Sequence, residues 1–160
     1  MIFRNYLSIV TGFIFLICGP GCAQTQMDVG KQHAIQWVDN HQKSLNNAAL
    51  SIWDFAETAL LEYESAEYLA DMLERNGFSV ERGVADMPTA FVATFGSGKP
   101  VIGILAEYDA LPGLSQKVNT AVKEALKPGE PGHGCGHNLF GVASSGAAMA
   151  LKAVMQEQKL

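Results

Sequence analysis

Between residues 34 and 59 the apolar face runs Ala34, Val38, His41, Leu45, Ala48, Ile52, Phe55 and Ala59. Steps of three and four residues mark one side of a helix, and the Asn46-Asn47 pair predicts a break into two. Ser65 predicts the cap of a further helix, since a hydroxyl accepts from a free N–H of the first turn. That helix presents Ala66, Leu69, Ala70 and Leu73 to the core, and Gly77 closes it. The period then shortens: residues 78–81 alternate as a strand, and 89–95 read as a second. After a Gly96-Ser97-Gly98 turn, residues 101–106 are apolar throughout, as in a strand covered on both faces. Residues 115–131 are polar and hold Pro128, Gly129 and Pro131, which predicts a long loop of the kind that carries function. Residues 139–155 are rich in Gly, Ala and Ser and predict a helix able to pack closely on what precedes it. As a membrane span it is too short, too polar and interrupted by Lys152. Helices, then strands, then a loop and a buried helix predict an α/β fold. Trp37 and Trp53 read as core, His41 as structural, and Asp54, Glu57, Glu62 and Glu64 as a solvated helix face.

The first residues follow a different pattern. Arg4 precedes an apolar run over 6–17, and Gly19, Pro20, Gly21, Cys22 and Ala23 form a small-residue exit. This is the layout of a secretory signal peptide over residues 1–23. Two exits compete: cleavage after Ala23, or lipidation of Cys22 as the new N-terminus. Both imply export to a bacterial envelope, as a periplasmic protein or as an outer-envelope lipoprotein with a lipid anchor. Residues 24–160 then form the mature chain. Its composition narrows the partners. Eleven Lys and Arg against sixteen Asp and Glu give a net charge of −5 with the cations scattered, which argues against nucleic-acid binding. At 48% hydrophobic and 17% charged residues a packed core is expected, and three cysteines are too few for a disulfide scaffold.

Two clusters carry chemistry. His133-Gly134-Cys135-Gly136-His137 places an imidazole, a thiol and an imidazole within five residues. Those donors suit zinc and neighbouring metals, and the glycines between them permit a bend on which they can converge. A helix starting at Asn138 would favour the Cys135 thiolate through its N-terminal dipole. The alternative is a Gly-rich turn with an inert buried cysteine and surface histidines. The second cluster, Glu107-Tyr108-Asp109-Ala110-Leu111-Pro112-Gly113, follows the apolar run directly. Carboxylates at the end of a sheet strand sit where open α/β folds place their sites. One of Glu107 and Asp109 can bind metal while the other orients a ligand histidine. The bland alternative is a pair of solvated acids before a Pro-Gly turn.

Glu-Tyr-Asp-Ala-Leu-Pro-Gly-Leu-Ser-Gln at 107–116 and Gly-His-Gly-Cys-Gly-His-Asn at 132–138 resemble the amidohydrolase branch of the zinc carboxypeptidase and aminoacylase family, as does the stretch at 81–91. The resemblance covers residues 31–152. It implies the N-terminal part of a zinc-peptidase-like catalytic domain, with two divalent ions, zinc or manganese, in the full-length family and with oligomeric full-length relatives. The implied reaction is hydrolysis of an amide bond to an amino acid, on a small-molecule amide or peptide of the aminobenzoyl-glutamate or N-acyl amino acid type. A Cys-x-His pair of metal ligands maps onto Cys135 and His137, with His133 and Glu107 as further metal candidates. Asp109 matches the Asp of the family's His-x-Asp motif and takes the catalytic assignment; Glu107 stands where that motif has His. The family's Glu-Glu pair, a further His ligand and the distal His have no match before Leu160, so the chain alone is expected to be inactive. Two other functions stay open: an exported, non-catalytic metal-binding or interaction fragment, and a cysteine hydrolase with Cys135 as nucleophile.

Overall fold

The structure, a computed structural model, describes residues 28–160. The expectations on residues 1–23, Cys22 included, lie outside the described residues. Helix α1 spans Val29–Phe55, α2 Tyr63–Arg75 and α3 His137–Gln158; strands β1, Ser79–Arg82, and β2, Phe91–Thr94, lie between α2 and α3. The strands form an antiparallel pair with Ser79 opposite Thr94 and Arg82 opposite Phe91. The architecture is mixed: three helices and a two-stranded sheet among the described residues.

α3 lies antiparallel along α1. Gly30 sits near Val154 and Gln158 at one end, and Leu45 packs on the bare Cα of Gly146 near the middle. At the other end the Asn138 side-chain amide donates to the Ala49 carbonyl at 3.1 Å. Ala48, Ala49, Ile52, Leu69 and Val142 form the buried cluster between the helices. The face expected of α2 is observed, with Ala66, Leu69, Ala70 and Leu73 all buried. Gly77, at φ 78°, follows its end. Lys152 then closes α3 onto the sheet end, reaching the Asn76 carbonyl and standing over the Phe95 ring, 4.8 Å from its centroid.

Five expectations are corrected. Asn46 and Asn47 do not break α1, because both are exposed and leave its backbone ladder intact. Ser65 does not cap α2: it lies inside the helix, fully buried. The capping carboxylate comes from Glu57, whose oxygens accept from the Glu64 and Ser65 backbone N–H groups, each at 2.9 Å, and from the Ser65 hydroxyl at 2.8 Å. Glu57 and the buried Glu62 therefore do not belong to a solvated face, and Trp37 and Trp53 are half-buried rather than core. The largest departure is 101–106, which forms no strand and is largely exposed, since nothing among the described residues pairs with it.

Glu57 also accepts the Ala110 N–H on its backbone carbonyl, at 2.6 Å. Its carboxylate satisfies orphan donors at a helix start, where negative charge also meets the positive end of the dipole. Glu57→Ala is expected to lower stability by about 1–2 kcal/mol in urea unfolding. Glu64→Ala, which removes an exposed side chain from the same turn, is expected to change it by less than about 0.5 kcal/mol.

Candidate metal centre

The two chemical clusters meet because a long loop closes on itself. Leu111 and Gly132 exchange both backbone hydrogen bonds at 3.0 Å, and Ser115 donates to the Glu130 carbonyl at 3.0 Å. The polar excursion between them therefore leaves from and returns to the same place, bringing 107–111 beside 132–137. Gly141, one turn into α3, completes the approach. A Cβ there would lie 2.8 Å from the Glu107 carbonyl oxygen and 3.3 Å from the Tyr108 Cβ. Only glycine lets this segment lie against the helix at that distance.

The juxtaposition sets the His137 ring between two carboxylates. Its Nδ1 stands 2.7 Å from Asp109 Oδ1 and its Nε2 3.1 Å from Glu107 Oε2. Glu107, Asp109 and His137 each offer a donor atom within 4.8 Å of the others, a possible metal site. The donor chemistry fits a divalent ion: imidazole and carboxylate suit zinc and manganese. The 3.1 Å between His137 Nε2 and Glu107 Oε2 fits two donors on one ion, since donors bonded at about 2.0–2.2 Å stand about 3 Å apart. Asp109 on Nδ1 is the second-sphere arrangement that fixes a histidine's tautomer and leaves Nε2 for the metal.

The other candidates lie outside this group. Cys135 is a free, exposed thiol, so the inert buried cysteine of the Gly-rich-turn alternative is not what the fold contains. His133 donates from Nε2 to the Ile52 carbonyl at 2.9 Å, which leaves its Nδ1 as the lone-pair nitrogen, buried and without a partner. Burial holds the His133 pKa below its ordinary value; the Ile52 carbonyl and the Asp109 charge oppose this, and His137 adds to it. α3 begins at His137 rather than at Asn138. Gly136, at φ 80°, stands at the cap position while the Asn138 side chain is spent on α1. His41 is structural, with its Nδ1 on the Trp37 carbonyl at 2.7 Å and its ring stacked on that indole.

Several supporting residues carry no local sequence signal. The Tyr108 hydroxyl donates to the Thr89 carbonyl, and its ring stacks on Phe91 at 6.0 Å. The Thr89 hydroxyl in turn donates to the buried Glu62 carboxylate at 2.7 Å. Tyr108 thus holds one side of the 107–109 segment while its two neighbours reach His137. A cleft of about 640 Å³ opens beside His133, walled in part by Trp53, Leu114, Lys127 and Glu130.

No family model matches the chain. It is 48% identical over 120 residues to a p-aminobenzoyl-glutamate hydrolase subunit of Escherichia coli K12, an alignment covering 75% of this chain and 25% of that protein. It is 25% identical over 152 residues to the Xaa-Arg dipeptidase of Homo sapiens, covering 86% of this chain and 31% of that protein. With thermostable carboxypeptidase 1 of Saccharolobus solfataricus it shares 31% identity over 102 residues, covering 62% and 25% respectively. The chain belongs to the family of metal-dependent peptidases and amidohydrolases that these proteins represent, and it aligns with the N-terminal part. It spans about a quarter to a third of the length of these relatives.

Burial, with a smaller contribution from the Glu62 charge, pushes the Tyr108 phenol up to about 12 from its ordinary 10.0. The folded state therefore binds this proton more tightly than the unfolded chain, and Tyr108 should cost stability as pH rises from about 10 through about 12. Urea midpoints across that range are expected to fall more steeply for the parent than for Tyr108→Phe. At neutral pH, Tyr108→Phe should be less stable by about 1 kcal/mol, the worth of one hydrogen bond.

Proposed function

We propose that this chain carries metal ligands of a hydrolase that cleaves an amide bond to an amino acid, on an aminobenzoyl-glutamate or N-acyl amino acid type of substrate. The observation that carries the reading is His137 held between Glu107 and Asp109, in a chain whose relatives are metal-dependent peptidases and amidohydrolases. In this reading Glu107 and the His137 Nε2 hold the ion, and Cys135, two residues earlier, adds a thiolate. Asp109 acts through His137 as a positioning residue, keeping the proton on Nδ1. When bound, a divalent ion supplies polarisation of an amide carbonyl and a water made nucleophilic near neutral pH.

A cysteine nucleophile needs a base at its sulfur. No side chain among the described residues hydrogen-bonds the Cys135 thiol, and both flanking histidines turn their bonded nitrogens elsewhere. The geometry therefore favours the metal reading over a cysteine hydrolase. We also propose export through residues 1–23, which the intact mass of the secreted product tests by beginning at Cys22 or Gln24.

Cobalt titration of the intact chain is expected to give visible absorption together with a near-ultraviolet thiolate band. Cys135→Ser should remove the thiolate band, and His137→Ala should abolish binding. Asp109→Asn should weaken binding by about 10–100-fold, as losing the orienting partner of a ligand histidine does. His41→Ala should leave it unchanged. Binding that survives His137→Ala would remove the proposed site. The chain alone should show no measurable hydrolysis of p-aminobenzoyl-glutamate, because the described residues bring no carboxylate into the group beyond Glu107 and Asp109. Turnover lost to chelator and restored by zinc would show that the chain is self-sufficient and leave the non-catalytic reading without support.

A further inference from the structure

Glu62 has none of the usual uses of a buried acid. It stands at the cap position of α2 yet gives that helix no side-chain hydrogen bond, because the Glu57 carboxylate does the capping. It is 8% exposed, and the ion-paired arginines and lysine among the described residues, Arg75, Arg82 and Lys117, go to other acids. A buried carboxylate without a cation costs stability unless hydrogen bonds hold it. Its partner is the Thr89 hydroxyl, which donates to it at 2.7 Å, and Thr89 is itself only 5% exposed.

Thr89 passes that contact on. Its carbonyl accepts the Tyr108 hydroxyl, and the Tyr108 ring stacks on Phe91. On the other side of the same backbone, Glu107 and Asp109 reach His137. Among the described residues, no backbone N–H or C=O of 107–109 bonds to another backbone group. The next such bond is Ala110 N–H on the Glu57 carbonyl, at 2.6 Å. The Tyr108 hydroxyl is therefore the hydrogen bond that decides how the two acids are turned.

We propose that Glu62 and Thr89 are positioning residues for the Glu107–Asp109–His137 group, acting through Tyr108 to keep both acids facing the histidine. Glu62 fixes the rotamer of a β-branched side chain and so steadies the Thr89 carbonyl that Tyr108 grips. Donor groups bind an ion well only when their supports hold them near working geometry. The inference rests on reading the group as a metal centre, but its effect on the His137 ring is present without an ion.

The test therefore reads the group with and without metal. In the metal-free chain, nitrogen-labelled imidazole spectra should show the His137 Nδ1 proton held on Asp109. Thr89→Val keeps the side-chain shape without the hydroxyl, and Glu62→Leu removes an acid that caps nothing. Each should speed exchange of that proton by about three- to tenfold, the effect of one hydrogen bond. Each should also weaken cobalt binding by about three- to tenfold and shift its visible bands. Thr89→Ser keeps the hydroxyl and should restore the parent values. Glu57→Ala controls for stability: it loses the α2 cap, but the carbonyl that holds Ala110 is main chain and survives, so both readouts should stay as in the parent. Parent-like exchange and cobalt affinity in both Thr89→Val and Glu62→Leu would overturn the proposal. So would an equal loss in Glu57→Ala, or no recovery with Thr89→Ser. A chain that binds no cobalt, or binds it unchanged after His137→Ala, removes the metal reading instead, and exchange of the His137 proton then decides the positioning.

Discussion

Asn138 gives its side-chain amide to the Ala49 carbonyl, His133 gives a ring N–H to the Ile52 carbonyl, and Gly146 lets Leu45 close on the helix behind them. These contacts hold α3 antiparallel on α1, and the position of everything chemical follows from them. The start of α3 is fixed against the last turns of α1, so the Gly-rich segment ahead of it arrives at one defined place. Buried amide and imidazole groups must find partners, and here two of them find backbone carbonyls of the neighbouring helix.

With α3 placed, the segment 107–109 has one way to lie. Gly141 admits the Glu107 carbonyl, Tyr108 is held through Thr89 and Phe91, and its neighbours Glu107 and Asp109 face the first residue of α3. Glu57 ties the arrangement to α2, capping that helix with its carboxylate while its carbonyl takes the Ala110 N–H. The possible metal group is therefore a product of helix packing, made by residues far apart in the chain. That suits a site whose donors must be held close to their working geometry before an ion arrives.

Where a signal was local, the sequence showed it. The α2 face and the turn glycine after it follow from spacing alone, as does the position of the β1–β2 hairpin. Asn46 and Asn47 misled because a weak local preference yields to twenty-seven residues of continuous helix. The cap of α2 was hidden because its carboxylate comes from eight residues before Ser65. The apolar pattern of 101–106 predicts cover that the fold does not provide, because strand burial depends on partners that a local pattern cannot supply. In the site, donor types were legible in both clusters, as was the role of one acid as ligand and the other as orienter of a ligand histidine; which histidine they meet was not. Local spacing points to Cys135 with His137, and the fold adds Glu107 and Asp109 to His137, Asp109 from 28 residues away.

Which His137 nitrogen receives an ion decides whether Asp109 positions the ring or competes for the metal. Loading the intact chain with cadmium and recording its scalar coupling to the nitrogen-labelled imidazoles addresses this without any need for turnover. Coupling to His137 Nε2 is expected, with Nδ1 keeping a slowly exchanging proton on Asp109 that Asp109→Asn alters. Coupling to Nδ1, or a bound cadmium with no coupling to His137 at all, would contradict it.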